Sequence, residues 1–472
     1  MKIANQHFIG GQFVESHGRE TIDVHNPATG ELIGRAVLGD ETDAERAIAA
    51  AHAAFPAWSK TTLEERRMYL QRIADAMAER MDELIAITVE EYGATVGFAG
   101  MFNQQARDFM LLARNLLKPQ NFEEKNGNAT ITKVPVGVAA LLTPWNGSAW
   151  FVAGKTASAL AAGCTVVVKP SQMSALQSRL LMECFDKAGL PAGVVNIVNG
   201  AGATVGNTFT RSSLVQKISF TGSTTVGKQI HRDAIDTMKR VTLELGGKSP
   251  TVILDDADLT KAVPFALTAG LLNTGQACVA GTRILVPESR LEEAKAALKA
   301  GVEALKLGSP TDPTTTIQPM VSKGHYERVQ SYIRKGIEEG AEILVGGEGK
   351  PEGYEAGNYV KPTIFTGVTN DMTIAREEIF GPVLSVITYR DDEEALKIAN
   401  DTEYGLHGYV YGEDLDRARG IAHQIQAGRV MVNEFVDDPT SPFGGFKMSG
   451  IGREFGVHGL NAYLETRTVF AA

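Results

Sequence analysis

The alternation of short apolar segments with helix-like segments constrains the fold of this chain most. Four such segments lie between residues 136 and 220, each soon followed by Gly, Pro or Ser and then by a helix-like stretch: VGVAALLT (136–143), CTVVV (164–168), VVNIV (194–198) and KISF (217–220). Short buried strands that alternate with helices are typical of a parallel sheet covered by helices on both faces. The predicted fold class is therefore α/β.

A second set of strand-like segments lies between residues 251 and 432, in a chain whose 472 residues exceed one typical domain. Its members are TVILDD, TRILVP, EILVGG, TIFTGV, PVLSVITY, GYVYG and RVMVN. Two α/β units predict two lobes with a cleft between them, and clefts between domains are where ligands usually bind.

The rest of the N-terminal half contains a helical region and a hairpin. Residues 42–118 are predicted to be mostly helical, with capping boxes at Thr42 with Glu45 and at Thr62 with Glu65. Residues 120–134 form a polar segment with NGN as its turn, which is typical of a β-hairpin. A hairpin that leaves a sheet-bearing domain needs a partner edge, so we expect a homo-oligomer.

Composition excludes several classes of function. A formal charge of −10 argues against a nucleic-acid binder, which needs clustered Lys and Arg. There is no run of about 18 apolar residues, so no membrane span is expected. Three unpaired cysteines and the lack of a signal peptide predict a reducing compartment, the cytoplasm. No HExxH pair or Cys/His cluster occurs, so no metal is expected.

Two segments contain candidate reactive groups. Cys278 lies in the small-residue segment NTGQACVAGTR (273–283), which leaves its sulfur accessible, although most single cysteines are simply buried small side chains. Glu244 ends an apolar strand in LELGGKSP (243–250) and could act as a general base if burial raises its pKa. Considered alone, Glu244 is better explained as an ordinary ion-paired glutamate.

Two further segments could hold charge. Asn146 in TPWNGSAW (143–150) could donate an amide N–H to an oxyanion, or could simply occupy a turn. Gly222 and Ser223 in FTGSTTVG (220–227) begin a strand-to-helix turn that can bring helix N–H groups to a pyrophosphate. The GKT and GKS segments at 154–156 and 247–249 lack the first glycine of a P-loop, which disfavours a nucleoside triphosphatase.

Seven motifs in one order resemble the aldehyde dehydrogenase superfamily: PWN, VVVKPS, FTGSTTVG, LELGGKSP, GQACVAGTR, EEIFGPVL and PFGGFKMSGIGRE. The resemblance implies the aldehyde dehydrogenase fold. Its parts would be a Rossmann-like cofactor domain with a five-stranded sheet, an α/β catalytic domain, and a small oligomerisation hairpin. They would cover residues 1–116 with 136–246, residues 247–440, and residues 117–135 with 441–472, and assemble as a dimer or tetramer.

The same resemblance implies the roles of the reactive residues. Cys278 would be the nucleophile that forms a thiohemiacetal and then a thioester, which is covalent catalysis. Asn146 and the backbone N–H of Cys278 would hold the oxyanion. Glu244 would activate the water that releases a carboxylic acid, and Lys155 would support the proton path.

The cofactor implied is NAD or NADP. Lys169 resembles the lysine that binds the adenosine ribose, and Glu378 the carboxylate that binds the nicotinamide ribose. The other implied cofactor residues are Thr143, Trp145, Gly222, Ser223, Leu245 and Phe380. Gln172 stands where NAD-preferring members commonly have a glutamate that opposes a 2′-phosphate, so we expect NADP to be tolerated.

The substrate tunnel departs from the family pattern. Gly147 and Gly154 stand where many relatives carry aromatic residues, which predicts a wider tunnel. Its lining would include Trp150, Phe102, Phe435 and Phe443, alongside Met101, Phe109 and Met110. The predicted substrate is a bulky aromatic or long aliphatic aldehyde. The alternative, that local shifts refill the space beside the glycines, is equally open.

Three other functions compete with a hydrolytic aldehyde dehydrogenase. A CoA-acylating semialdehyde dehydrogenase generally lacks a glutamate at the Glu244 position. A non-catalytic binding relative has no need for Cys278, Glu244 and Asn146 together. A thiol hydrolase is the third, because the same cysteine can accept acyl groups from activated esters.

Overall fold

A computed structural model describes residues 1–436 and 438–471. Its strands are β1 (Lys2–Ala4), β2 (Gln6–Ile9), β3 (Gln12–Glu15), β4 (Thr21–His25), β5 (Leu32–Val37), β6 (Glu123–Asn126), β7 (Ala129–Pro135), β8 (Val138–Leu142), β9 (Thr165–Lys169), β10 (Val195–Ile197), β11 (Lys217–Thr221), β12 (Arg240–Glu244), β13 (Pro250–Ile253), β14 (Arg283–Pro287), β15 (Glu342–Val345), β16 (Thr363–Thr366), β17 (Val383–Tyr389), β18 (His407–Tyr411), β19 (Arg429–Val432), β20 (Gly450–Ile451) and β21 (Leu464–Phe470).

The helices are α1 (Glu41–Trp58), α2 (Leu63–Glu79), α3 (Met81–Ile87), α4 (Val96–Leu116), α5 (Ser148–Ala162), α6 (Ala175–Ala188), α7 (Asn207–Arg211), α8 (Thr224–Ile235), α9 (Leu259–Leu271), α10 (Leu291–Glu303), α11 (Lys323–Glu338), α12 (Thr373–Arg376), α13 (Asp392–Asn400), α14 (Leu415–Ala422) and α15 (Gly456–Asn461). Among the described residues, no helix is both long and apolar enough to cross a membrane.

The first large sheet has the order β20-β12-β11-β8-β9-β10-β2-β3, and its five central strands from β12 to β10 are parallel. In β8, Ala139 and Leu141 face one core while Ala140 and Leu142 face the other. Both faces are therefore covered by helices, which is why the strand reads as an uninterrupted apolar run. The predicted five-stranded parallel sheet is confirmed, with antiparallel strands added at both edges.

The second large sheet has the order β15-β16-β17-β14-β13-β18-β19 and is parallel except for β15. All seven segments of the second predicted set contribute a strand to it. Ile284 and Val286 face a core with α9 and α10, and Leu285 faces another with α13 and α14. The carboxyl ends of the first sheet's strands face this second unit across a cleft.

The helical region is confirmed as α1 to α4, but one of its two predicted caps is wrong. Thr62 and Glu65 form the predicted capping box at α2. At α1 the capping residue is Asp40, not Thr42, and its reciprocal partner is Asp43, not Glu45. Asp40 is extended and its carboxylate accepts the N–H groups of Thr42 and Asp43, so Thr42 already lies in the first turn.

The predicted hairpin is β6 and β7, and β21 pairs antiparallel with β7 to complete a three-stranded sheet. The preceding part of the C-terminal segment joins a different sheet, because Gly450 and Ile451 pair with the end of β12. The domain boundaries given above stay a prediction.

Candidate active site

A cavity of about 660 Å³ opens between the two large sheets. One wall is made by residues that directly follow β8, β11 and β12, at the carboxyl ends where open α/β sheets bind ligands. The other wall comes from α11, from the loop after α12 and from Cys278. The lining residues are Pro144, Trp145, Asn146, Phe151, Thr221, Gly222, Ser223, Thr224, Thr225, Leu245, Gly246, Cys278, His325, Arg328, Tyr332, Glu377, Glu378, Phe380, Glu403 and Tyr404.

Cys278 lies on the loop after α9 and lines this cavity. Three consecutive residues of this loop have left-handed backbone conformations. Asn273, Thr274 and Gly275 have φ angles of 53°, 56° and 74°. Burial raises the pKa of the Cys278 thiol above its usual range, and the carboxyls of Glu378 and Glu244 raise it further. The thiolate form of Cys278 is therefore disfavoured in these surroundings.

Asn146 follows β8 and lies in the same cavity as Cys278. Its Nδ2 donates to the carbonyl oxygen of Gln276 at 3.0 Å, which uses one of its two amide hydrogens. The second hydrogen is left for a ligand oxygen. Asn146 and Cys278, predicted to act together, are thus brought together.

Glu244 is the last residue of β12 and is buried directly behind this wall. Within the described ranges neither of its carboxylate oxygens has a hydrogen-bond partner. Burial raises the pKa of Glu244 well above its ordinary value, and the nearby Glu454 carboxyl adds to this. A buried carboxyl with free oxygens and a raised pKa has the properties of a general base.

Lys155 on α5 belongs to a buried polar cluster rather than to the cavity wall. Its ammonium donates to Ser219 Oγ at 2.9 Å and to the carboxylate of Glu454. Ser219 Oγ also donates to Glu454, at 2.8 Å. Ser219 and Glu454 were not predicted from the sequence, because a glutamate in a glycine-rich segment is ordinarily exposed.

Six predicted cofactor residues line the cavity: Trp145, Gly222, Ser223, Leu245, Glu378 and Phe380. The Ser223 hydroxyl accepts the Val226 N–H at the start of α8, so the N-terminus of this helix points at the cavity wall. The Glu378 carboxylate accepts the Gly247 N–H at 2.9 Å, and burial raises its pKa to about 7. A helix terminus and a carboxylate fit the phosphates and a ribose of a dinucleotide.

The other three predicted cofactor residues lie beside the cavity rather than in its wall. Lys169 ends β9, and its ammonium donates to the carbonyls of Pro170 and Gly200 at 2.8 and 3.2 Å. Burial lowers the pKa of Lys169 to about 8. Thr143 donates its backbone N–H to the Lys169 carbonyl, and Gln172 begins a short 3-10 turn just beyond.

Helix α11 supplies cavity residues that the sequence analysis missed. His325 Nε2 lies 2.6 Å from the Phe380 carbonyl oxygen, and Arg328 donates to the Glu378 carbonyl at 2.9 Å. Tyr332 donates to the Glu377 carboxylate at 2.7 Å. No local signal marks these side chains, because only the tertiary fold places α11 against the 377–380 loop.

Aromatic rings from α4, α5 and the C-terminal segment form one packed cluster, none of whose members lines the cavity, and we call it the aromatic cluster. Its members are Phe102, Phe109, Trp150, Phe443 and Phe455, with ring centroids 4.7 to 5.7 Å apart between neighbours. Cys278 packs against the same hydrophobic core. Phe435 lies apart from it, stacked on Tyr409 with the ring planes 10° apart.

The predicted widening beside Gly147 and Gly154 is not found. A methyl group on Gly147 would lie 2.8 Å from the Phe102 ring, and one on Gly154 would lie 3.2 Å from Phe455 and 3.5 Å from Phe109. Rings from other helices therefore occupy the space that the glycines leave. The alternative, in which the space beside the glycines is refilled, is therefore favoured. Side chains from other elements fill this space, rather than shifts of the local backbone.

Two α/β units around a cleft, with a cysteine, a buried carboxylate and a helix N-terminus at its wall, are consistent with an α/β oxidoreductase. The model of the aldehyde dehydrogenase family matches residues 13–469. A Staphylococcus haemolyticus protein assigned as an aldehyde dehydrogenase is 44% identical over 470 residues, covering 99% of each chain.

Solved structures of aldehyde dehydrogenases are also similar to this chain. A mutant of aldehyde dehydrogenase C from Pseudomonas syringae, in complex with NAD+ and octanal, is 43% identical with a TM-score of 0.97, over 99% of this chain and 96% of that one. Betaine aldehyde dehydrogenase from Staphylococcus aureus, in complex with NAD+, is 36% identical with a TM-score of 0.95, over 99% and 94%. The chain belongs to the aldehyde dehydrogenase family, and the predicted fold and enzyme class are confirmed.

Proposed function

We propose that the protein oxidises an aldehyde to a carboxylic acid with NAD+ and water, through a thioester on Cys278. One observation carries this proposal: a cysteine thiol and a free amide N–H of Asn146 share one cavity, and a buried carboxyl without a partner, Glu244, lies directly behind its wall. These are a nucleophile, an oxyanion donor and a general base in one place.

In the first step the Cys278 thiol gives its proton to solvent in the open cavity, and its sulfur attacks the aldehyde carbon. The carbonyl oxygen becomes an oxyanion, held by the unused amide hydrogen of Asn146 and the backbone N–H of Cys278. NAD+, when bound, accepts the hydride that leaves this carbon. The product on the enzyme is a thioester between Cys278 and the acyl group.

In the second step a water molecule gives a proton to Glu244 and attacks the thioester carbon. The carbon–sulfur bond then breaks and releases the acid and the thiolate. Glu454 raises the pKa of Glu244, and it is hydrogen-bonded to Ser219 and Lys155. We propose that this cluster carries the proton away from Glu244.

We propose a long aliphatic or bulky aromatic aldehyde as the substrate. The aromatic cluster beside Cys278 is apolar, and the similar Pseudomonas syringae enzyme was solved with octanal. A cationic substrate such as betaine aldehyde is disfavoured, because the Arg429 guanidinium already lies 5.2 Å from the Phe443 ring centroid. Octanal and benzaldehyde should exceed acetaldehyde and betaine aldehyde in kcat/KM.

We propose that NADP+ is accepted alongside NAD+. Gln172 carries no charge that would repel a 2′-phosphate, and Lys169 lies three residues earlier in the chain, at the end of β9. A fall of more than about a hundredfold in kcat/KM with NADP+, equivalent to about 2.7 kcal/mol, would refute this part.

We propose that the three-stranded sheet β21-β7-β6 joins copies of the chain into a dimer or tetramer. Val469 and Phe470 at the end of β21 are 51% and 79% exposed in the single chain. Exposed apolar side chains on a strand are typical of an interface. Light scattering should give a mass of two or four chains, and Phe470→Asp should lower it; a wild-type monomer would refute the proposal.

The reaction type is tested by following NADH and the acyl product together. With octanal, NAD+ and CoA present, we expect free octanoate in equal amount to NADH. Octanoyl-CoA as the main product would instead support the CoA-acylating alternative. Absence of NADH across a broad aldehyde panel would support a non-catalytic relative.

A further inference from the structure

The chain segment that precedes Cys278 holds a backbone conformation that one of its residues, Thr274, disfavours. Asn273, Thr274 and Gly275 are consecutive left-handed residues. Glycine adopts this conformation freely and asparagine tolerates it, but a β-branched threonine does so only rarely. Such a turn persists only where the surrounding structure fixes it.

Gln318 provides that fixation. Its side chain is buried, and its Oε1 accepts the Thr95 backbone N–H at 3.0 Å. Since that N–H can only donate, Nε2 must face the other way, where it donates to Asn273 Oδ1 at 2.6 Å. The Gln318 backbone N–H donates to Thr274 Oγ1 at 3.0 Å. One residue thus binds both non-glycine members of the turn.

The turn is linked to the oxyanion donor through a single carbonyl group. With its Oδ1 held by Gln318, Asn273 directs its Nδ2 to the Gln276 carbonyl oxygen, at 3.0 Å. The same oxygen accepts Asn146 Nδ2, also at 3.0 Å. The Gln276 side chain is tied to the segment after Gln318, through Pro319 O at 3.2 Å and Val321 N at 3.0 Å.

We propose that Gln318 is a positioning residue, which holds the left-handed turn and thereby aims the free amide hydrogen of Asn146 at the oxyanion. This inference rests on the proposed function, in which Asn146 stabilises that oxyanion. Gln318 itself touches neither the cavity nor a reacting atom. It acts through Asn273 and the Gln276 carbonyl.

Two variants test this assignment. Gln318→Met removes both side-chain hydrogen bonds at similar volume. Gln318→Glu keeps the acceptor for Thr95 but replaces the donor with a second acceptor, so the Asn273 amide is expected to reverse and lose its bond to Gln276. Gln330→Met is the matched control, because Gln330 is also buried but its side chain accepts the Gly349 N–H rather than contacting the turn at 273–275.

Two reactions of Cys278 are compared in each variant. Acylation by 4-nitrophenyl acetate forms an oxyanion, whereas alkylation by iodoacetamide forms none. We expect both Gln318 variants to slow acylation at least tenfold while alkylation, localised by peptide mass spectrometry, changes less than threefold. With an aldehyde, kcat should fall more than KM changes, and Gln330→Met should leave both thiol reactions unchanged.

Equal slowing of acylation and alkylation would mean that Gln318 only supports the loop, and would overturn the proposal. So would wild-type acylation in both variants once circular dichroism confirms that they are folded. Neither thiol reaction uses an aldehyde or NAD+. A wild-type protein that oxidises no aldehyde would therefore refute the proposed function and still leave these rates to decide the role of Gln318.

Discussion

Two regions meet at Cys278, and they are built in different ways. The nucleophile loop, residues 273–278, is held by directional hydrogen bonds to Gln318, Pro319, Val321 and Asn146. The aromatic cluster is held by ring packing, in which rings from α4, α5 and the C-terminal segment fill the space beside two glycines. Hydrogen bonds fix one geometry, whereas apolar packing tolerates exchange of volume.

We expect substitutions in the two regions to affect different properties, the reaction rate in one case and the choice of aldehyde in the other. Changes in the nucleophile loop or in Glu244 should lower the rate for every aldehyde by a similar factor. Changes in the aromatic cluster should alter which aldehyde is preferred and leave the chemistry in place.

Cys278→Ala should lower kcat by roughly 10⁴-fold or more for every aldehyde tested, because the covalent step is lost. Cys184→Ala is the matched control: Cys184 is fully buried on α6, so its loss should cost about 1 kcal/mol of stability and leave kcat unchanged. Residual oxidation of one aldehyde class by Cys278→Ala would break the separation.

Glu244→Gln should lower kcat by about 10²- to 10⁴-fold, again for all aldehydes, while the first turnover of NADH remains. The base must be deprotonated, and burial raises the pKa of Glu244. In the wild type kcat should therefore increase with pH up to this raised pKa and level off above it. A stopped-flow burst of NADH and a pH profile of kcat are measured for the wild type and for Glu244→Gln. If kcat of Glu244→Gln falls at low pH as it does in the wild type, the assignment of Glu244 as the base is contradicted.

Gln172→Glu should lower kcat/KM with NADP+ by about a hundredfold, because a carboxylate opposes the 2′-phosphate. It lies outside both regions, so the ratio of octanal to acetaldehyde activity should stay unchanged. Activity with NAD+ serves as the internal control. Equal losses with both cofactors would show that the substitution had damaged the fold instead.

Phe102→Ala should open the space beside Gly147 and raise the preference for bulky over small aldehydes by roughly tenfold. Phe98→Ala is the matched control, because the Phe98 ring stacks on Phe102 at 4.1 Å while the atoms nearest to a methyl group on Gly147 belong to Phe102 and Phe151. Both changes should lower stability by about 2 kcal/mol, less than a fully buried Phe→Ala. A uniform fall in kcat for all aldehydes would break the separation.

The sequence predicted the features that depend on local pattern. Strands such as β8 and β9 are buried on both faces, so each appears in the sequence as a continuous apolar run that predicts a buried strand. Cys278, Glu244 and Asn146 were predicted because each lies at a strand end or on a loop within a recognised motif, and their roles stay a prediction. The hairpin was predicted because its turn residues are local.

What depends on distant contacts could not be predicted. Glu454 lies 210 residues after Glu244 in the chain, yet both belong to one buried charged group. Gln318 gives no local sign that it holds the turn at 273–275. The prediction at Gly147 failed for the same reason: only the packing of α4 places Phe102 beside it.

The proposed thioester on Cys278 can be trapped in a variant that hydrolyses it slowly. Glu244→Gln is mixed with octanal and NAD+, quenched in acid, digested and analysed by mass spectrometry. We predict an octanoyl group on the peptide that contains Cys278 and unmodified Cys164 and Cys184. NADH production without any acyl group on Cys278, or with the acyl group on another residue, would contradict the claim.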